Sequence, residues 1–295
     1  MSVSAQPSIV VFGEVLFDCF PGGENVLGGA PFNVAWHLQA FGDQPYFVSS
    51  VGNDELGARI RQAMTLWGMS AGALQQDALH PTGQVQVSII DNEPQYTITP
   101  DSAYDFIDKN KLSDLPEQGV LYHGSLALRQ ATSREAFEQL TQQTQLPRFL
   151  DVNLRSPWWN REDVLLWLGE ATWAKLNEDE LFLLYGDGEL SQRMEQCLNE
   201  CQLDWLVVTR GAHGAVALTK EDGFLSVEPE EITNFVDTVG AGDAFTSVLL
   251  HGLLHGWPLA QSLQRAQQFA SAIVGHRGAT PMEKNFYYPF VMGKS

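Results

Sequence analysis

Two aspartates and two glycines within seven residues, Asp237-Thr238-Val239-Gly240-Ala241-Gly242-Asp243, make up the segment of this chain best suited to chemistry. Gly240 and Gly242 let a backbone turn tightly and approach a ligand closely. The apolar-periodic run 244–254 follows at once, so a helix starts at or beside Asp243 and points free N–H groups back at the turn. A helix start of this kind is an anion site. It would let an acidic chain hold a nucleotide phosphate without a cluster of lysines. Two roles are open to Asp243 there: helix N-cap, or the proton acceptor that a kinase needs beside bound phosphates. The segment has no Gly-Lys-Ser/Thr, and neither does 22–29, so neither is a Walker loop. Phe245 stands where a dinucleotide fingerprint needs its third glycine.

A second cluster is Gly28-Gly29, followed by Asn33 on the first turn of the next helix-like segment. An amide offers donors and acceptors, and the carboxylate of Asp18 accepts from two neighbouring hydroxyls, the mix that sugar hydroxyls require. Asn33 fits a plain cap or turn role equally well.

Short β-branched or aromatic-rich runs must position these residues: 9–12, 46–51, 120–123, 148–152, 172–176, 205–209 and 215–218. They alternate with helix-length amphipathic segments at 31–41, 54–67, 133–143, 161–168, 189–201, 243–255 and 258–274. The alternation predicts an α/β fold whose mostly parallel central sheet is covered by helices on both faces. Such sheets bind ligands beyond the carboxyl ends of their strands. That rule gathers Gly13, Glu14, Asp18, Asn153, Arg155, Asn177, Glu180, Arg210, Gly211 and Gly214 on one edge, a polar small-molecule site.

Two excursions break the rhythm. Gln84, Gln86 and Ser88 alternate with Val85, Val87 and Ile89, the period of a strand with one wet face. Asp91-Asn92-Glu93-Pro94 then reads as a turn, and 95–99 as the returning strand. Together with the polar, Gly-rich stretch after the first strand, this predicts a small antiparallel β sheet. Its excursions, at about 16–29 and 84–101, stand off a single domain spanning 1–295, either as a lid over the site or as plain surface hairpins.

Composition narrows the partners. The chain has 17 Lys plus Arg against 36 Asp plus Glu, a net charge of −19, so the basic clusters that bind nucleic acid or an anionic membrane surface are lacking. At 44% hydrophobic residues it buries a sizeable core. No apolar run is long enough to span a bilayer, and residues 1–8 lack the basic start of a secretory signal. Three cysteines, Cys19, Cys197 and Cys201, exclude a disulfide framework and point to a reducing cytoplasm. Cys197 and Cys201, four apart without further ligands nearby, read as helix residues and not as a metal pair.

Taken together, Gly28-Gly29…Asn33-Val34-Ala35…Leu38…Phe41-Gly42 resembles the N-terminal signature of the ribokinase-like (PfkB) carbohydrate kinases, and 237–243 resembles their C-terminal signature. Asn177-Glu178-Asp179-Glu180 is similar to the family's Asn-x-x-Glu motif, and Val208-Thr209-Arg210-Gly211-Ala212-His213-Gly214 to its nucleotide-site strand and turn. Arg277-Gly278-Ala279 fits as well, so the resemblance runs from Gly13 to about Pro281. It implies a ribokinase-like fold and an ATP-dependent sugar kinase. Asp243 would be the catalytic base, with the N–H groups of Gly240, Ala241, Gly242 and Asp243 as anion hole. Asp18, Gly28, Gly29, Asn33, Asn153 and Arg155 would hold the sugar, with Tyr104. Asn177, Thr209, Gly211 and Gly214 would line ATP, together with Gly240 and Gly242. Glu180 would serve Mg2+ through water. A potassium site would gather Asp237, Val239, Ile273, His276 and Gly278, although Met282 departs from the polar side chain that ribokinases place there. The lid would also make a homodimer contact.

Asp151-Val152-Asn153-Leu154-Arg155, with Trp158 and Trp159, and Ala103-Tyr104-Asp105-Phe106 resemble the fructokinase-like branch, so fructose is the expected acceptor. The alternatives are ribose, a keto-deoxy sugar acid or a nucleoside on the same fold, and a non-catalytic sugar-binding regulator. A pure sensor has no need of Asp243 and its glycines, which favours turnover.

Overall fold

The computed structural model of the chain describes residues 8–90, 93–112, 115–229 and 235–291. Its strands are β1 (Ser8–Phe12), β2 (Leu16–Cys19), β3 (Asn25–Gly28), β4 (Tyr46–Gly52), β5 (Leu74–Asp77), β6 (Gly83–Ile90), β7 (Glu93–Ile98), β8 (Gly119–His123), β9 (Arg148–Asp151), β10 (Trp173–Asn177), β11 (Trp205–Thr209), β12 (Ala215–Thr219) and β13 (Gly223–Val227). Its α-helices are α1 (Ala30–Phe41), α2 (Glu55–Trp67), α3 (Ala131–Thr144), α4 (Arg161–Glu170), α5 (Glu178–Tyr185), α6 (Leu190–Cys201), α7 (Ala241–Leu254), α8 (Leu259–Val274) and α9 (Lys284–Val291).

Nine strands form one sheet in the order β13-β12-β11-β10-β9-β8-β1-β4-β5. From β11 to β5 every neighbouring pair is parallel, and β12 and β13 add an antiparallel edge. Alternation along β1 sends Ile9 and Val11 into one core and Val10 and Phe12 into another. This is the pattern of a strand covered on both faces. Helices α1, α2, α7 and α8 contribute to the first core, and α3 to α6 to the second. Cys197 and Cys201 are buried members of that second core, in keeping with their reading as helix residues.

Chain order runs outward from β1 to β4 and β5, then returns to β8 on its other side, so the reversal falls beside β1. Ligands of open α/β sheets sit in the crevice at such a reversal. Helix α1 packs along α7. At their far ends Asp43 lies 2.7 Å from His251 Nδ1 and 2.8 Å from His255 Nε2, which braces the pair. Their near ends open onto the crevice.

The two excursions do form a small sheet, in the order β3-β2-β6-β7. Each hairpin is antiparallel, and a parallel pairing of β2 with β6, Leu16 opposite Gly83, joins them. Val85 and Val87 are buried while Gln86 and Ser88 are exposed, as the alternation requires. The returning strand starts at Glu93. The turn expected over 91–94 is therefore shorter, and its Asp91 and Asn92 lie outside the described residues. Four further elements lack a strong periodic signal. β5 is polar, β13 is a short edge strand, α5 follows β10 without a loop, and α9 carries Pro289.

Candidate active site

Beyond the carboxyl ends of β1, β9, β10 and β11 lies a cavity of about 780 Å³. The starts of α1 and α7 close one side. The small sheet roofs it with Asp18, Val26, Val85, Tyr96 and Ile98. Gly29 has φ +108°, and a Cβ there would lie 2.8 Å from the Glu14 carbonyl oxygen. Glycine is what allows α1 to start this close to the end of β1.

Asn33, on the first turn of α1, donates from Nδ2 to Asp243 Oδ2 at 2.8 Å. Its Oδ1 is buried with no partner among the described residues, an acceptor left over at the cavity wall. Gly240 is the N-cap of α7, with φ +80°. A Cβ there would collide with Ala279, so the turn containing Arg277-Gly278-Ala279 presses directly on it. Asp243 is thus the third residue of the helix, and the N-cap role left open for it is excluded. The Ala241 N–H is already engaged by the Thr238 carbonyl at 3.2 Å, and Ala241 does not line the cavity. The first-turn donors left free at the cavity are therefore Gly242 and Asp243. Burial pushes the Asp243 carboxyl up to about 6; the Asn33 hydrogen bond opposes this, the Asp151 carboxylate adds to it, and Lys175 and Arg155 oppose it.

Below Asp243 lies a buried ion pair. Lys175 Nζ reaches Asp151 Oδ1 at 3.1 Å and Oδ2 at 3.0 Å, and Thr246 Oγ1 donates to the same carboxylate at 2.7 Å. Both partners line the cavity. A Cβ on Gly242 would sit 3.3 Å from Lys175 Nζ, which places this ammonium against the first turn of α7.

Asn177 ends β10 and caps α5 in a reciprocal box. Its Oδ1 accepts from the Glu180 N–H at 2.8 Å, and Glu180 Oε2 accepts from the Asn177 N–H at 2.9 Å. Glu180 Oε1 accepts from the Leu154 N–H at 2.7 Å, which ties this cap to the loop after β9. Asp18 is partly buried, and burial raises its carboxyl to about 6 against the pull of Arg155. Arg155 is exposed and lines the same cavity.

Of the residues expected at the site, Asp18, Gly28, Gly29, Asn33, Asn153, Arg155, Asn177, Glu180, Thr209, Gly240, Gly242 and Asp243 line this one cavity. Tyr104 does not. It is fully buried, its ring packed where a Cβ on Gly83 would fall, because β6 starts directly over it. Gly211 and Gly214 lie outside the cavity, Gly214 pressed against the Val227 carbonyl. Val239 lines the cavity, whereas Asp237, Ile273, His276 and Gly278 sit at a neighbouring corner. There the Val274 carbonyl accepts from Val236 and Asp237 N–H at 3.0 and 3.1 Å, and Asp237 Oδ1 accepts from Val239 N–H at 3.1 Å.

Residues 8–285 match the family model described as pfkB family carbohydrate kinase. The chain belongs to the PfkB family. It is 31% identical over 257 residues to a fructokinase of Escherichia coli, across 82% of this chain and 83% of that one. It is 27% identical over 296 residues to the aminoimidazole riboside kinase of Salmonella typhimurium, across 94% and 92%. Its fold matches the fructokinase of Vibrio cholerae O395 in the fructose-, ADP- and calcium-bound form, with a TM-score of 0.83 at 24% identity over 97% of this chain and 99% of that one. This PfkB protein is a sugar kinase, a phosphotransferase with an alcohol group as acceptor.

Sequence reasoning missed Lys175 in this kinase. Its one signal is a lone charge inside an otherwise apolar strand, Trp173-Ala174-Lys175-Leu176, and a buried lysine needs a partner. Glu14 was visible only as one of several polar residues after a strand.

Proposed function

We propose that this kinase transfers the γ-phosphoryl group of ATP to a hydroxyl of D-fructose, with Asp243 as the base. The observation that carries the reading is the 2.8 Å contact of Asn33 with Asp243 at the start of α7, inside the cavity. It holds one carboxylate oxygen and leaves the other to accept a proton. The acceptor lies under the small sheet, bound by Asp18, Gly28, Gly29, Asn33, Asn153 and Arg155. Its attacking hydroxyl gives its proton to Asp243 as the new O–P bond forms, and the bond from the γ-phosphorus to the bridging oxygen breaks to release ADP. The N–H groups of Gly242 and Asp243 and the positive end of α7 stabilise the charge on the phosphoryl oxygens. Asn177 and Thr209 lie on the ATP side.

Mg2+ neutralises phosphate charge in such transfers. Both Glu180 oxygens already hold backbone N–H groups, which suits contact with the ion through water. A monovalent cation suits the corner of Asp237 and the carbonyls of Val239, Ile273, His276 and Gly278, a set of oxygen donors. The small sheet acts as the lid, and exposed Tyr96 on β7 and Phe20 in the β2–β3 turn support a homodimer contact. Three free cysteines suit a reducing cytoplasm, and among the described residues no helix is long and apolar enough to cross a membrane.

The fructokinase relatives support fructose. The riboside kinase at 27% identity makes aminoimidazole riboside the competing acceptor. Coupled ADP release on D-fructose, ribose, tagatose, adenosine, keto-deoxygluconate and aminoimidazole riboside decides between them. The highest kcat/KM is expected on D-fructose. Preference for the riboside or ribose overturns the fructose assignment.

A further inference from the structure

Glu14 is an acidic residue of the cavity wall to which the transfer just described gives no task, and unlike Asp151 it has no ion-pair partner among the described residues. It follows β1 after Gly13, lies 3% exposed in the cavity wall, and its Oε2 has no hydrogen-bond partner among the described residues. The charged groups facing it come from three elements: Arg155 after β9, Asp243 on α7, and Arg129 just before α3. Neither cation pairs with it. Arg129 holds Asp105 through two bonds of 2.7 and 2.6 Å, and Arg155 turns Nη1 to the Leu154 carbonyl at 3.3 Å. A buried carboxylate with an unpartnered oxygen is costly, which favours the neutral acid. Burial raises it to about 7, opposed by its own backbone N–H; Arg155 and Arg129 also oppose the rise, and the Asp243 charge adds to it.

A neutral carboxyl has a proton to donate as well as an oxygen to accept with. The neighbouring groups at the wall, Asp18, Asp243 and the free Asn33 Oδ1, are acceptors. A polyhydroxyl acceptor also needs donors for its own oxygens, and among the described residues Arg155 is the exposed side-chain cation lining the cavity. We propose that Glu14 is a specificity-determining residue, which as a neutral acid donates a hydrogen bond to one oxygen of the acceptor and accepts one from an adjacent hydroxyl. This rests on the reading of the cavity as the acceptor's seat. An acceptor without those oxygens leaves a buried acid unpaired, the arrangement that discriminates most strongly between similar substrates.

The test compares wild type, Glu14→Ala and Glu14→Gln in the full chain. Acceptor and ATP are varied separately from pH 5.5 to 8.5, on whichever of D-fructose and aminoimidazole riboside wild type uses better. Glu14→Ala is expected to raise the acceptor KM at least tenfold at pH 6, with the ATP KM changed less than threefold. In wild type, kcat/KM for the acceptor falls as pH rises through about 7, because that ratio reports groups of the free enzyme. Glu14→Gln keeps an N–H donor without a titrating proton, so it raises the acceptor KM less than Glu14→Ala and flattens the alkaline fall. An acceptor KM within twofold of wild type in Glu14→Ala, or an alkaline fall unchanged in Glu14→Gln, overturns the proposal. Thermal melts accompany both variants, and if Glu14→Ala fails to fold, the pH profile of Glu14→Gln decides. A wild-type preference for the riboside would instead refute only the fructose assignment.

Discussion

Replacing Asp243 by Asn should make a kinase that is more stable and nearly inactive. Asn keeps the size and the oxygen that accepts from Asn33 Nδ2. It cannot take the hydroxyl proton, and loss of a general base costs about 10²–10⁴-fold in kcat. The stability gain comes from the buried charge. The rise of the carboxyl from 3.8 to about 6 corresponds to roughly 3 kcal/mol against the ionised form. Asp243 is only partly buried, and solvent screening leaves about 1 kcal/mol of that. A carboxyl raised by folding contributes stability that is complete below its unfolded value of 3.8 and lost as pH rises through about 6. The variant should therefore melt about 2–4 °C above wild type at pH 8, and the difference should shrink to nothing by pH 4. In wild type, kcat/KM should fall on the acid side of about pH 6 as the base becomes protonated. Coupled ADP release and calorimetric melts measure both. A kcat within fivefold of wild type, or a lower melting temperature at pH 8, refutes the reasoning.

Three more outcomes are expected. Arg155→Ala should raise the acceptor KM about tenfold and the ATP KM less than threefold, because a lost guanidinium removes donors to hydroxyl oxygens; the reverse split in steady-state kinetics would place Arg155 at the phosphates. Lys175→Met strands the Asp151 carboxylate with Thr246 as its remaining side-chain donor, and should cost about 3–5 kcal/mol in denaturant melts. Adding Asp151→Leu should recover most of that loss, and an additive double variant would contradict the pairing. Potassium should raise kcat over tetramethylammonium at matched ionic strength, and equal rates would remove the cation site at Asp237.

Much of the architecture is legible because strands buried on both faces, such as β1 and β11, read as short apolar runs between amphipathic segments. The site is legible where a residue type has one strong use at one place. Asp243 and Asn33 fall within 2.8 Å of each other across 210 residues, and both come from glycine-marked helix starts. Other features carry two meanings in one spacing. Asn177 and Glu180 match a motif, yet three residues apart at a helix start they also make a capping box, and the structure commits both Glu180 oxygens to backbone N–H groups. The sequence shows two glycines at the start of α7 but not which one takes the left-handed turn. That choice is made by the close approach of Ala279, from a segment almost forty residues further on. Tyr104 looks exposed to ligand because it follows the β6–β7 hairpin, and only the parallel pairing of β2 with β6 shows that the hairpin covers it.

The separation of Asn33 from Asp243 has a consequence during synthesis. A ribosome adds about 5–20 residues per second, so a nascent chain carries Asn33 for roughly ten to forty seconds before the residue it will hold exists. During that time β1, β4, β5 and β8 to β11 can already assemble, but a chain shorter than 243 residues lacks the completed first turn of α7. Any fragment released before residue 243 lacks Asp243 outright and cannot transfer phosphoryl groups through it. If Asp243 is the base proposed above, catalysis therefore waits until α7 has begun to form.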